Sequence, residues 1–115
     1  MLRLRKDQRT EYRENSFGGR GTVEIRHLIE PADHTNSHLR LLAKITLQPG
    51  VTVGEHSHEG ITESIYILEG RAIYNDGAER LLEPGDAAVV SESDRQSIRC
   101  AEDTPLTYLA VIVLP

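Results

Sequence analysis

From Thr22 onward the chain alternates between apolar and polar positions. "TVEIRHLIE" (22–30) places Val23 and Ile25 two apart among polar residues, the period of a strand with one buried face. The polar connector "PADHTNSH" (31–38) ends it, and "LRLLAKITL" (39–47) predicts a second strand closed by a "QPG" turn. "TVGEHSH" (52–58) and "TESIYILE" (62–69) follow, separated by Glu59-Gly60. "RAIYNDGAERLL" (71–82) predicts a hairpin in which "NDG" supplies the positive-φ turn. "EPGDAAVVS" (83–91), "RQSIRCA" (95–101) and "PLTYLAVIVL" (105–114) complete the set. No stretch has a helical period, and one short helical turn within 31–38 is the most the pattern allows. About nine short strands at regular turn spacing predict an all-β fold, an antiparallel sandwich or closed barrel.

Residues 1–21 have another texture. "LRLRKDQR" is charged and reads as a solvated arm, and "SFGGRG" reads as a flexible hinge. Its glycines lack the preceding strand and following helix of a dinucleotide loop. The expected organisation is an N-terminal arm over 1–21 and a single barrel domain over 22–115.

Composition narrows the classes. A chain of 115 residues supports one core. With four Tyr and one Phe, that core is built from Leu, Ile and Val, which favours strands. A net charge of −5 argues against a nucleic-acid partner, which asks for a basic face. No apolar run reaches membrane-spanning length, the N-terminus has no secretory apolar segment, and Cys100 has no intramolecular disulfide partner. A cytoplasmic protein with no membrane partner is expected.

The candidate chemistry lies in "GVTVGEHSHEGITESIYILEG" (50–70). On a regular strand His56 and His58 project to the same side, and Glu63 can swing back from the next strand. Two imidazoles in a poorly hydrated interior would need hydrogen-bond partners or would repel when charged; a divalent cation resolves both, and a carboxylate offsets part of its charge. Two His and one carboxylate with open positions suit Fe(II), and also accept Mn, Ni, Co or Zn. A bare H-x-H is more often a polar outer face, so the glycine frame decides. Gly50, His56, His58, Glu63 and Gly70 fit G-x5-H-x-H-x4-E-x6-G without departure, and in this the chain resembles the cupin superfamily over roughly residues 39–113.

The resemblance implies an antiparallel jelly-roll barrel with a metal near one mouth. It implies a small-molecule ligand, and an arm that adds a strand to a partner subunit in a homodimer. The second cupin motif, G-x5-P-x-G-x2-H-x3-N, is only partly kept: from Gly85 its spacing puts Ser91, Ser93, Gln96 and Cys100 at the Pro, Gly, His and Asn positions. The expected metal set is therefore His56, His58 and Glu63 with Gln96 on or near the ion. Three roles are open to Gln96: a weak or water-mediated ligand, a partner hydrogen-bonded to such a water or to Glu63, or the mark of an empty polar pocket. Gln96, Ile98 and Cys100 share one strand face, so all three point inward together.

Other candidates have plainer readings. Cys100 is read as a small buried residue. His34 and His38 are read as exposed turn residues, and Glu55 and Glu59 as solvated. Tyr66 and Tyr74 are read as core or rim packing, and Asp86 as a turn residue; the face of His27 is left open. Three function classes remain, the last a purely structural oligomerising β protein that would respond to no ligand. One is metal-dependent enzymology on a small carboxylate or carbonyl compound, decarboxylase-like or oxygen-dependent, with Lewis-acid work favoured by the neutral Gln96. The second is a non-enzymatic ligand-binding or sensing barrel.

Overall fold

The computed structural model describes residues 1–33, 38–57, 59–91 and 94–115. These form β1 (Arg9–Glu14), β2 (Thr22–Ile29), β3 (Leu39–Leu47), β4 (Thr52–Ser57), β5 (Thr62–Glu69), β6 (Ala72–Asn75), β7 (Glu79–Leu82), β8 (Ala87–Val90), β9 (Arg95–Cys100) and β10 (Leu106–Val113). One sheet runs β1-β2-β3-β10-β5-β8 and the other β4-β9-β6-β7. Every strand pairing is antiparallel. The fold is the expected all-β jelly roll. Helical structure among the described residues is limited to short 3-10 turns at Arg5–Asp7, Ser16–Gly18 and Pro31–Asp33.

Alternation places the core. Val23 and Ile25 of β2, Ala43, Ile45 and Leu47 of β3, Ile65 and Ile67 of β5, and Tyr108 and Ala110 of β10 are buried from the larger sheet. Val53, Ala72, Tyr74, Ile98 and Cys100 are buried from the smaller one. Two sheets with inward faces of this kind bury one another and leave the polar faces to solvent. The hairpin reads as its sequence predicts: β6 pairs with β7 from Ala72↔Leu82 to Asn75↔Glu79. Gly77 takes φ +118, and its N–H donates to Asn75 Oδ1 at 2.9 Å. Asp86 acts as the turn residue expected, its Oδ2 accepting from Glu83 N–H at 2.7 Å.

The first 21 residues depart from the reading as a solvated arm and flexible hinge. Residues 9–14 are strand β1, laid on β2 of the same chain from Arg9↔His27 to Glu14↔Thr22. "SFGGRG" is docked on β4. Arg20 N–H donates to Thr52 O at 3.2 Å and Thr52 N–H returns the bond to Arg20 O at 2.9 Å. The approach is so close that only glycine fits on either side. A Cβ on Gly19 would sit 2.1 Å from Thr52 O, and one on Gly54 would sit 2.0 Å from Phe17 O. Asn15 and Phe17 adopt φ of 50° and 52° to make the turn, a conformation costly for a bulky residue and held only where the surroundings dictate it.

The contact predicts a contrast. Gly54→Ala forces backbone apart and should cost about 3 kcal/mol, the upper end of ordinary point-mutant effects. Gly18→Ala, where a Cβ meets nothing within 4 Å, should cost only about 1 kcal/mol for its left-handed backbone. Urea denaturation of both variants measures the difference; equal midpoints would contradict the docked placement.

Candidate functional site

His56 reaches the interior through a register fault. β4 pairs with β9 at Val53↔Ile98 and again at His56↔Gln96, so Gly54 and Glu55 together oppose the single Ser97. Such a bulge re-aims the following side chain. Strict alternation from the buried Val53 would have turned His56 outward; instead it is buried and Glu55 is exposed. The imidazole is fixed on two sides. Its Nδ1 lies 2.8 Å from Gly54 O; a carbonyl only accepts, so Nδ1 carries a proton, and in the neutral form of the ring the lone pair is on Nε2. The Phe17 ring stacks on it, with centroids 3.9 Å apart and planes at 9°.

Glu63 stands near the start of β5, in register with Ile112 of β10 on one side and Val90 of β8 on the other. It is buried. Burial raises its pKa, opposed by the charge of His56 and the hydrogen bond from Gln96. Gln96 is opposite His56 on β9, and its Nε2 donates to Glu63 Oε1. Its Oε1 accepts from the Tyr74 hydroxyl at 2.9 Å. Tyr74 is pushed up to about 12, by burial first and then by the neighbouring Asp76 and Glu63 charges, so at neutral pH it is a proton donor. A phenol donating to one end and a carboxylate accepting at the other fix the amide's orientation. Donation to Glu63 is one of the three roles open to Gln96. The amide presents to Glu63 its NH₂ end, which has no lone pair for a metal.

Phe17, His56, Glu63 and Gln96 line a cavity of about 440 Å³. Aliphatic walls from Val53, Ile65 and Ile98 surround the polar end, and Tyr108 lies against it. Burial raises the Tyr108 hydroxyl's pKa far above its ordinary value. Among the described residues no three His, Cys, Asp or Glu side chains come together. His58 lies outside the described residues, as do His34 and Ser93. The structure thus brings together His56, Glu63 and Gln96 of the expected set.

The remaining candidates mostly fall as read. Cys100 is buried with Gln96 and Ile98 on the shared face, its Sγ directed at Thr104 O at 3.0 Å. Tyr66 is exposed and Tyr74 buried. Glu59 is exposed, and Glu55 pairs with Arg95 at 2.8 Å. His38 is exposed, with Nδ1 2.8 Å from Pro115 O.

Two parts of the site were not anticipated. Phe17 covers His56 from a segment read as hinge; its signal is a lone Phe before paired glycines. The second is the charged wall of β1, where Arg9, Glu11 and Arg13 face the cavity beside the buried His27. His27 Nε2 is 2.9 Å from Glu11 Oε1. Glu11 has its pKa lowered, first by the Arg13 hydrogen bond and then by that of His27. The alternation of charges at 9, 11 and 13 was the available signal, but charge conceals an inward face.

Comparison with known proteins agrees with this fold. Residues 43–112 match the family model of the cupin domain. An oxalate-binding protein of Thermotoga maritima is 38% identical over 101 residues, 87% of this chain and 83% of that protein. The crystal structure of a predicted oxalate decarboxylase from Thermotoga maritima superposes with a TM-score of 0.91 at 34% identity, covering 100% of both chains. KdgF from a Halomonas species shares the fold at 17% identity, with a TM-score of 0.76 over 100% of this chain and 94% of that one.

Replacing Tyr74 by Phe strips the donor from a buried carboxamide oxygen. The expected loss is about 1–3 kcal/mol of folding stability, read by chemical denaturation. An unchanged midpoint would show that Gln96 does not depend on the phenol.

Proposed function

This chain belongs to the cupin domain family, and we propose that it binds a small carboxylate through a divalent metal ion held by His56, His58 and Glu63. The carrying observation is the Glu63 carboxylate, buried against the aliphatic walls of the cavity beside His56 and oriented by Gln96. The residues fit a cation. Burial disfavours the Glu63 charge, and a positive ion against it offsets that cost. Donation from His56 Nδ1 to Gly54 O leaves Nε2 as the ligating nitrogen, the arrangement common among metal-bound histidines. Imidazole and carboxylate ligands accept Mn, Fe, Ni, Co or Zn.

When bound, the ion supplies Lewis acidity that chelates and polarises a carboxylate. The chain's own groups do the rest. Gln96 and Tyr74 hold Glu63 in one orientation, Phe17 covers the His56 ring, and the aliphatic walls limit water. Turnover in the manner of a decarboxylase or an oxygen-dependent cleavage is the enzymatic form of this proposal, supported by the predicted oxalate decarboxylase of similar structure. Binding without turnover is the second form, supported by the similar oxalate-binding protein. Product release from oxalate by metal-loaded protein, measured against saturable binding alone, separates them.

Elemental analysis of untagged protein purified without added metal should find about one ion per chain. Less than about a tenth of an equivalent, unrecovered on dialysis against Mn, Fe, Ni, Co or Zn, overturns the proposal. Gln96→Ala should weaken metal affinity about 10–100-fold, as loss of a ligand's hydrogen-bond partner does.

A homodimer is part of the same proposal. β1 is the edge strand of its sheet, and Met1, Leu2, Leu4 and Tyr12 expose apolar surface along the arm. A second copy would cover both. Light scattering at micromolar concentration should give the mass of two chains, and a monomeric mass removes the dimer.

A further inference from the structure

The cavity is larger than a two-carbon diacid needs. Its volume of about 440 Å³ equals that of roughly fifteen waters in the liquid. The polar end formed by His56, Glu63 and Gln96 occupies one part of it. The question is what the remainder recognises.

The register of the larger sheet points to Arg40. β3 pairs with β10 at Leu41↔Ile112 and then at Leu39↔Val113, so Arg40 is the extra residue of a second bulge. Bulges turn a side chain out of its alternation, and Arg40 lines the cavity together with Leu41. The other arginines of this wall are already matched: Arg9 binds Glu30 at 2.8 Å and Arg13 binds Glu11 at 2.7 Å. Among the described residues Arg40 forms no ion pair, and it is exposed at the mouth. Among the described residues the mouth therefore carries a guanidinium without an ion-pair partner, the group best shaped to receive a carboxylate with two parallel hydrogen bonds.

The spacing between the two ends follows from the same register. Leu41 is opposite Ile112, and Ile112 is opposite Glu63. Two strand spacings separate Leu41 from Glu63, on the order of 10 Å along the sheet. The surface between them is aliphatic, Leu41 and Ile112. An inner end that takes a carboxylate through the proposed metal ion, an apolar stretch and an outer cation match one chemical class.

We propose that Arg40 is the specificity residue of this cavity, which takes a linear dicarboxylate longer than oxalate. One carboxylate goes to the inner polar end, the methylenes cross Leu41 and Ile112, and the other carboxylate pairs with Arg40. This rests on the carboxylate-binding reading above.

Titration calorimetry on metal-loaded protein tests it with oxalate, succinate, glutarate and adipate, each longer diacid set against the monoacid of equal chain length. The best longer diacid should bind at least about tenfold tighter than its matched monoacid, the worth of one charge-assisted contact. Arg40→Ala should abolish that advantage and leave oxalate and the monoacids within about twofold; Arg40→Lys should recover part of it. Circular dichroism of the variants checks the fold. Equal affinity for diacid and monoacid, or an Arg40→Ala effect common to every ligand, would overturn the role of Arg40 while leaving carboxylate binding intact. Failure of every carboxylate to bind would remove both proposals.

Discussion

An ionisable carboxylate inside an aliphatic sandwich is the constraint to which the rest of the site answers. Glu63 is buried, and burial works against its charge. A carboxamide reaches it, a phenol holds the carboxamide, and an imidazole stands beside them. Such networks are costly when incomplete and rigid when satisfied. The barrel contributes the satisfaction from separate strands: Glu63 from β5, Gln96 from β9, Tyr74 from β6 and His56 from β4. No short peptide could present these groups together; two facing sheets can.

The strands were legible because period-2 alternation leaves few choices once one face must be buried. Val23, Ile25, Ala43, Ile45 and Leu47 are inward as their spacing requires. The glycine frame located Glu63 and His56 without any geometry. What the frame could not show was how His56 turns inward, since counting by twos from Val53 points it to solvent. An inserted residue at Gly54-Glu55 reverses the parity, and bulges leave almost no local composition signal beyond a glycine. The role of Gln96 was open for a related reason: an amide's orientation is set by its neighbours, and Tyr74 is its neighbour only after β6 pairs with β9.

The arm was misread on physical grounds that are easy to state. A strand with Arg9, Glu11 and Arg13 on one face resembles a solvated segment, because inward faces are usually apolar. Here the inward face looks into a cavity of mixed polar and aliphatic lining, and the charges pair with one another, with Glu30 and with His27. Phe17 escaped notice for the opposite reason, being an aromatic within a glycine-rich run whose local pattern signals only flexibility.

The seam where Gly19 and Gly54 meet separates what the barrel requires from what its contents require. The strands can satisfy their own ladders whether or not residues 15–21 lie on β4, but the ring over His56 arrives only with that segment. Drift in this loop is therefore filtered by the chemistry of the interior rather than by the architecture. A single methyl on Gly19, which would sit 2.1 Å from Thr52 O, would push this segment off β4 and lift the Phe17 ring from the imidazole.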